Sequence, residues 1–121
     1  MNITKNKAYE FWKHHMGDKK HFIHCSQMIN ACLNVTQYSD LNKEIFIIAG
    51  WLHDMGKLIN KEHHNVMSLE YLDKFVMQYK EYEYMTSELF DCIYNHRTTG
   101  TPETIYGIIF RWADKMGGNI K

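Results

Sequence analysis

From Ile45 to Trp51 the chain reads IFIIAGW, seven apolar or small residues in succession, and two positions later it sets His53 beside Asp54. A helix that is apolar on nearly every side must be covered on nearly every side. This segment, opening near Asp40 and stopped by Gly56, is therefore expected to be the central helix of the fold. No run of alternating polar and apolar residues is long enough to read as a strand, and the only proline is Pro102. An unpartnered carboxylate at the end of a covered helix is very costly. The His-Asp pair therefore needs a reason from elsewhere in the chain.

Helical spacing of apolar residues recurs on both sides of this segment. Thr4 can cap a first helix carrying Ala8, Phe11 and Trp12, with Gly17 in the stop position. Asp18 opens a second, whose inner stripe reads His21, His24, Cys25, Met28, Cys32 and Val35. A fourth spans about residues 65–79, with Val66, Leu69, Leu72, Phe75 and Val76 facing inward. A fifth spans about residues 86–96, with Leu89, Cys92, Ile93 and His96. The sixth takes Thr101 as cap and Pro102 as its first residue, carries Ile105, Ile108, Ile109 and Trp112, and stops at Gly117-Gly118. The expected fold is all-α, a compact bundle of about six helices in one domain over residues 1–121.

Bulk properties narrow the function classes. Fourteen basic and fourteen acidic residues cancel, so no overall field favours nucleic acid or a membrane surface. No run approaches the roughly 18 apolar residues that span a bilayer. Three cysteines, Cys25, Cys32 and Cys92, form no ligand-spaced pair. With no secretory leader in view, they read as reduced thiols of a cytoplasmic protein.

Placed on these helices, the polar residues become informative. His24 falls on the inner stripe of the second helix, and His53 and Asp54 close the central one. His96 follows Cys92 by one turn. Asp114 follows Phe110 by one turn and Gly107 by two, where the missing side chain of Gly107 leaves room beside it. Any one inward histidine is ordinarily a hydrogen-bonded core residue, and Asp114 alone can pair with Arg111 or Lys115. All of them on inner faces together point instead to a divalent cation, whose natural ligands are neutral imidazole and carboxylate.

These residues, in this order, resemble the HD-domain superfamily: His24 in HFIHCSQM, His53 and Asp54 in WLHDMGK, and Asp114 in RWADKM. The stretch HHNVMSLEYL is similar to the family segment that places a histidine four residues before a small residue, which points to His64 rather than His63. CIYNHRTTGTP is similar to the segment that supplies His96. Two departures are visible: Leu69 stands where the family usually has alanine, and Asn95 where it usually has the first of two histidines. The resemblance covers about residues 18–117.

The resemblance implies a metal-dependent phosphohydrolase in which His24, His53, Asp54 and Asp114 hold a first ion, with His64 and His96 available to a second. The ion is a divalent one, Fe, Mn, Ni, Co, Zn or Mg, at one or two per chain. Asp54 would also orient water, Lys57 would hold a phosphate as a point charge, and Arg97 is a second phosphate-binding candidate. The expected partner is a small phosphorylated substrate such as a nucleotide, with neither membrane nor nucleic acid; the oligomeric state is not readable. Lys19, Lys20 and His21 can line the rim, and Tyr79, Tyr82 and Tyr84 can stack on a base, although a charged loop and ordinary packing explain both groups as well. A di-iron oxygenase on the same fold and a catalytically silent metal-binding or partner-binding module are the competing readings.

Overall fold

The computed structural model describes residues 2–116. Six α-helices follow in order: α1 (Lys7–His15), α2 (Lys19–Val35), α3 (Lys43–Leu52), α4 (His64–Gln78), α5 (Thr86–Tyr94) and α6 (Ile105–Met116). Short 3-10 turns lie at Met55–Leu58 and Lys80–Met85. Among the described residues there is no strand, and the fold is the expected all-α bundle. All eight residues from Ile45 to Leu52 are buried. Helix α3 is accordingly central, packed by α1, α2 and α5 and touched by α4 and α6. Each large apolar side chain buried this way stabilises the fold by about 1.5–3 kcal/mol.

The helix starts follow side-chain reach. Asp18 caps α2 by accepting from the His21 N–H at 3.1 Å, and Gly17 before it adopts a φ of 64°, the left-handed conformation that ends α1. Asn6, not Thr4, caps α1, because its amide oxygen accepts from the Ala8 N–H at 2.8 Å. Asn42, not Asp40, caps α3 by accepting from the Glu44 N–H at 3.1 Å.

Three expectations about helix ends need correction, and all three bear on the site. Helix α3 stops at Leu52, four residues before Gly56, as Asp54 leaves the helical region with φ −103° and ψ 0°. Gly56 serves a different purpose. A Cβ there would lie 2.2 Å from the His64 carbonyl oxygen and 2.4 Å from the Ser68 nitrogen, so its absence lets α4 press directly against the turn. Helix α5 ends at Tyr94, which leaves His96 beyond the helix rather than on its inner face, yet still buried. Helix α6 begins at Ile105 rather than Pro102, with the Thr104 hydroxyl accepting from the Gly107 N–H at 3.0 Å.

The buried face of α6 is Gly107, Phe110 and Ala113, whereas Ile105, Ile108 and Trp112 are exposed. The space beside Gly107 belongs to Asp91, not Asp114: a Cβ at Gly107 would lie 2.2 Å from Asp91 Oδ2. Val35 and Val66, expected inside, are also exposed. The expected stop at Gly117-Gly118 lies outside the described residues. No helix among the described residues is long and apolar enough to cross a membrane, and Cys25, Cys32 and Cys92 are free and buried.

Candidate metal centre

Four elements meet at the end of α3. His24 projects from α2, His53 and Asp54 from the end of α3, His64 from the first residue of α4, and Asp114 from the last turn of α6. The loop after α5 adds His96. Two buried bonds fix the turn itself. The Ser68 hydroxyl donates to the His53 carbonyl at 2.7 Å and accepts from the Gly56 N–H at 2.8 Å. Because Ser68 lies one turn along α4 from His64, this clip also sets where His64 points.

The ring nitrogens and carboxylate oxygens converge. His24 Nε2 lies 3.1 Å from His53 Nε2, 3.3 Å from Asp54 Oδ2 and 3.3 Å from Asp114 Oδ1. His53 Nε2 lies 3.4 Å from Asp54 Oδ2 and 3.8 Å from Asp114 Oδ1. On the other oxygen of the same carboxylate, Asp54 Oδ1 lies 3.3 Å from His64 Nε2 and 3.9 Å from His96 Nε2, and those two nitrogens are 2.9 Å apart. Asp54 thus sits between two histidine pairs and offers one oxygen to each.

The far sides of the rings decide what this arrangement needs. Nδ1 of His53 faces the Gly50 carbonyl at 2.7 Å, that of His64 the Lys61 carbonyl at 3.0 Å, and that of His96 the Ile93 carbonyl at 2.6 Å. A carbonyl only accepts, so each Nδ1 carries the proton. In the neutral ring Nε2 is then a bare lone pair, the tautomer of a metal-ligating histidine with its outer hydrogen bond in place. Two lone pairs facing each other at 2.9 Å repel unless positive charge sits between them, a proton or a metal ion. Ligands bonded at about 2.1 Å and separated by about 90–110° at an ion lie about 3.0–3.4 Å apart, which matches most of these separations. The groups present fit a metal ion.

Electrostatics prepare the same state. Burial drives the proton off His96, whose pKa falls to about 3, with His53 adding to the effect. Burial likewise lowers His53, against the pull of Asp54. Burial pushes Asp54 upward, but His53, the hydrogen bond with His64, Lys57 and His96 together hold it well below the usual carboxylate range. Asp114 is also raised by burial and lowered further by its bond with His24 and by His53 and His96, with a net shift downward. Neutral imidazoles and ionised carboxylates are the forms that bind divalent metals.

A cavity of about 200 Å³ opens on this cluster, and Lys57, Arg97 and Thr98 line it with the ligand candidates. Lys57 Nζ lies 3.4 Å from Asp54 Oδ2. Every site residue expected from the sequence therefore comes to this place, with His53 fully buried behind it. His63 does not: it is exposed just before α4, which selects His64. His21 Nδ1 is 2.9 Å from the Asp18 carboxylate in the α2 cap and does not line the cavity, nor do Lys19 and Lys20. Tyr79 and Tyr82 pack on Phe75 with centroids 5.1 and 5.5 Å away, and Tyr84 is exposed elsewhere.

A family model for the HD domain matches residues 21–117, most of the chain and every residue of this cluster. The chain belongs to the HD-domain family. HD domains typically bind divalent metals, and the superfamily includes phosphohydrolases. No curated protein and no solved structure matches the chain.

Sequence reasoning gave Ser68 no role beyond its place in the family-like segment, and it passed over Thr98 and most of all Asp91. This carboxylate is buried, accepts from Thr104 N at 2.8 Å, Thr104 Oγ1 at 2.7 Å, Glu103 N at 3.1 Å and Asn95 Nδ2 at 2.9 Å, and so pins the loop carrying His96 to the start of the helix carrying Asp114. The signal for it was Asn95 four residues later, at the end of the same helix.

Proposed function

We propose that this HD domain is a metal-dependent phosphohydrolase acting on a nucleotide or another small phosphoester. The observation that carries the reading is the Asp54 carboxylate shared between two imidazole pairs, with Lys57 and Arg97 on the walls of the same cavity. His24, His53, Asp54 and Asp114 would hold a first ion, and His64, His96 and the second oxygen of Asp54 another. Bound metal would supply an acidified water and neutralise charge on phosphoryl oxygens.

The chain's own residues then divide the remaining work. Asp54, held ionised, accepts hydrogen bonds and orients the attacking water. Lys57 sets a fixed positive charge beside Asp54 and would hold a phosphoryl oxygen as a point charge. Arg97 adds a guanidinium-bearing side chain to the lining of the same cavity. Two cations lining the cavity suit an anionic phosphoester, and the metal's identity and oxygen consumption separate this reading from a di-iron oxygenase.

The test is metal analysis followed by a phosphate-release screen over nucleotides and general phosphoesters. Metal-dependent release that vanishes in Asp54→Ala, and weakens in Lys57→Ala at unchanged metal content, is the expected result. Undiminished release in Asp54→Ala would move the chemistry elsewhere. Iron in the aerobically purified protein with oxygen consumption and no phosphate release would favour the oxygenase, and metal binding with neither activity the silent module.

A further inference from the structure

The cavity over the ligand cluster is small. At about 200 Å³ it falls below the usual size of a cavity that encloses a whole small molecule, about 300 Å³ and upward. A second cavity lies beside it, about 790 Å³ in volume and bounded by the start of α4, one face of α5 and the loop from Asn95 to Thr104. Pockets for whole small molecules run from about 300 to 1,000 Å³. One residue, Arg97, lines both cavities. One of its donors is bonded to the Glu62 carbonyl, which ties down the guanidinium.

The chemistry of the larger cavity is uneven. Phe90 and Tyr94, one turn apart on α5, stack on each other with centroids 5.4 Å apart at 21°, and both remain exposed, at 45% and 41%. The remaining wall is polar, with Thr86, Ser87 and Thr99 as hydrogen-bonding groups. Charge orients any occupant. Among the described residues lining this cavity Arg97 is the only basic one, whereas Asp91 and Glu103 are acidic. A phosphate in this cavity is therefore favoured beside Arg97, the residue shared with the metal cavity, and disfavoured beside Asp91 and Glu103.

We propose that the groove between α4, α5 and the loop 95–104 seats a planar aromatic group of nucleobase size, carried by the substrate whose phosphoryl group enters the metal cavity. The inference rests on the phosphohydrolase reading for the second half of that statement only. Stacking on an aromatic side chain is worth a factor of about five or more in binding per base. Phe90 and Tyr94 are exposed, so trimming them leaves the core intact.

Two measurements on the metal-loaded protein test it. The first is kcat/KM for adenosine 5′-phosphate against ribose 5-phosphate, which share the phosphoester and differ by the base. Wild type should prefer the nucleotide, and a Phe90→Leu, Tyr94→Leu double variant should lose at least about fivefold of that preference. A wild type without preference, or a variant that keeps it, overturns the proposal. The second measurement is titration with adenosine alone, followed by the ring proton resonances of Phe90 and Tyr94. Saturable shifts support the groove, and their absence overturns it. If neither phosphoester is hydrolysed, the phosphohydrolase reading has failed, and the adenosine titration alone decides whether the groove holds an aromatic ring.

Discussion

Asp54 and Asp91 are both buried carboxylates, 3% and 6% exposed, and the protein treats them in opposite ways. Asp91 is surrounded by donors: two backbone N–H groups, a hydroxyl and an amide reach it from Glu103, Thr104 and Asn95. Burial raises its pKa, but these bonds outweigh burial and leave the pKa below the ordinary 3.8. Asp54 is surrounded mainly by imidazole nitrogens, and in His53, His64 and His96 the ring proton sits on the far nitrogen, donated to a backbone carbonyl. Among the described residues, Lys57 alone brings a lysine or arginine nitrogen within 4.0 Å of its carboxylate. One carboxylate is complete as the chain folds, and it serves architecture. The other, on the function we propose, is left for a cation and serves chemistry.

Exchanging each for its amide should break the symmetry most sharply. Asp54→Asn should reduce metal-dependent phosphate release to background, the largest effect expected anywhere in the molecule. In chelator-treated protein the same change should cost less unfolding free energy than Asp91→Asn, because the new amide can donate to a bare Nε2. Asp91→Asn should do the reverse. Its amide hydrogens would face the donors of Thr104, leaving buried groups unpaired, and should cost about 3 kcal/mol in denaturant unfolding. Metal content per folded molecule should stay near that of wild type. Equal stability losses in the two variants would contradict the division of roles.

Acid separates the two regions more gently. A histidine whose folded pKa is lowered binds its proton more readily in the unfolded chain, so the folded state loses stability as pH falls through the unfolded value and on towards the folded one. For His96 that window runs from 6.5 down to about 3, and His53 shifts the same way. Asp91 contributes stability above 3.8 that is lost only as pH falls below it. Metal-free protein should therefore weaken by roughly 1–2 kcal/mol between pH 6.5 and 5. Urea titrations at stepped pH should show that slope undiminished in Asp91→Asn and reduced in His96→Ala. A flat profile down to pH 4 would mean that burial does not depress these imidazoles.

Much of this was legible in the residues. The apolar run Ile45–Trp51 could only be a covered helix, and each ligand candidate lies within a helix end or one short loop of its expected place. What escaped depended on tertiary contact. Gly56 looks like a helix stop because glycine often is one, but here the deciding contact is the backbone of α4, twelve residues away at Ser68. The inner face of α6 was misjudged because Ile105, Ile108 and Trp112 are the apolar residues, yet Gly107 must face inward to admit the Asp91 carboxylate. A hydrogen-bonded cluster between two helices overrode hydrophobic spacing, and neither helix announces it alone.

The central claim is that Asp54 stands between two metal positions, and metal stoichiometry tests it most directly. Protein loaded with a single divalent metal, freed of excess and analysed for bound metal should carry close to two ions per chain. A His64→Ala, His96→Ala double variant should retain one, held by His24, His53, Asp54 and Asp114. A wild-type protein that saturates at one ion, with the double variant unchanged, would contradict the account and reduce His64 and His96 to hydrogen-bonding partners of Asp54.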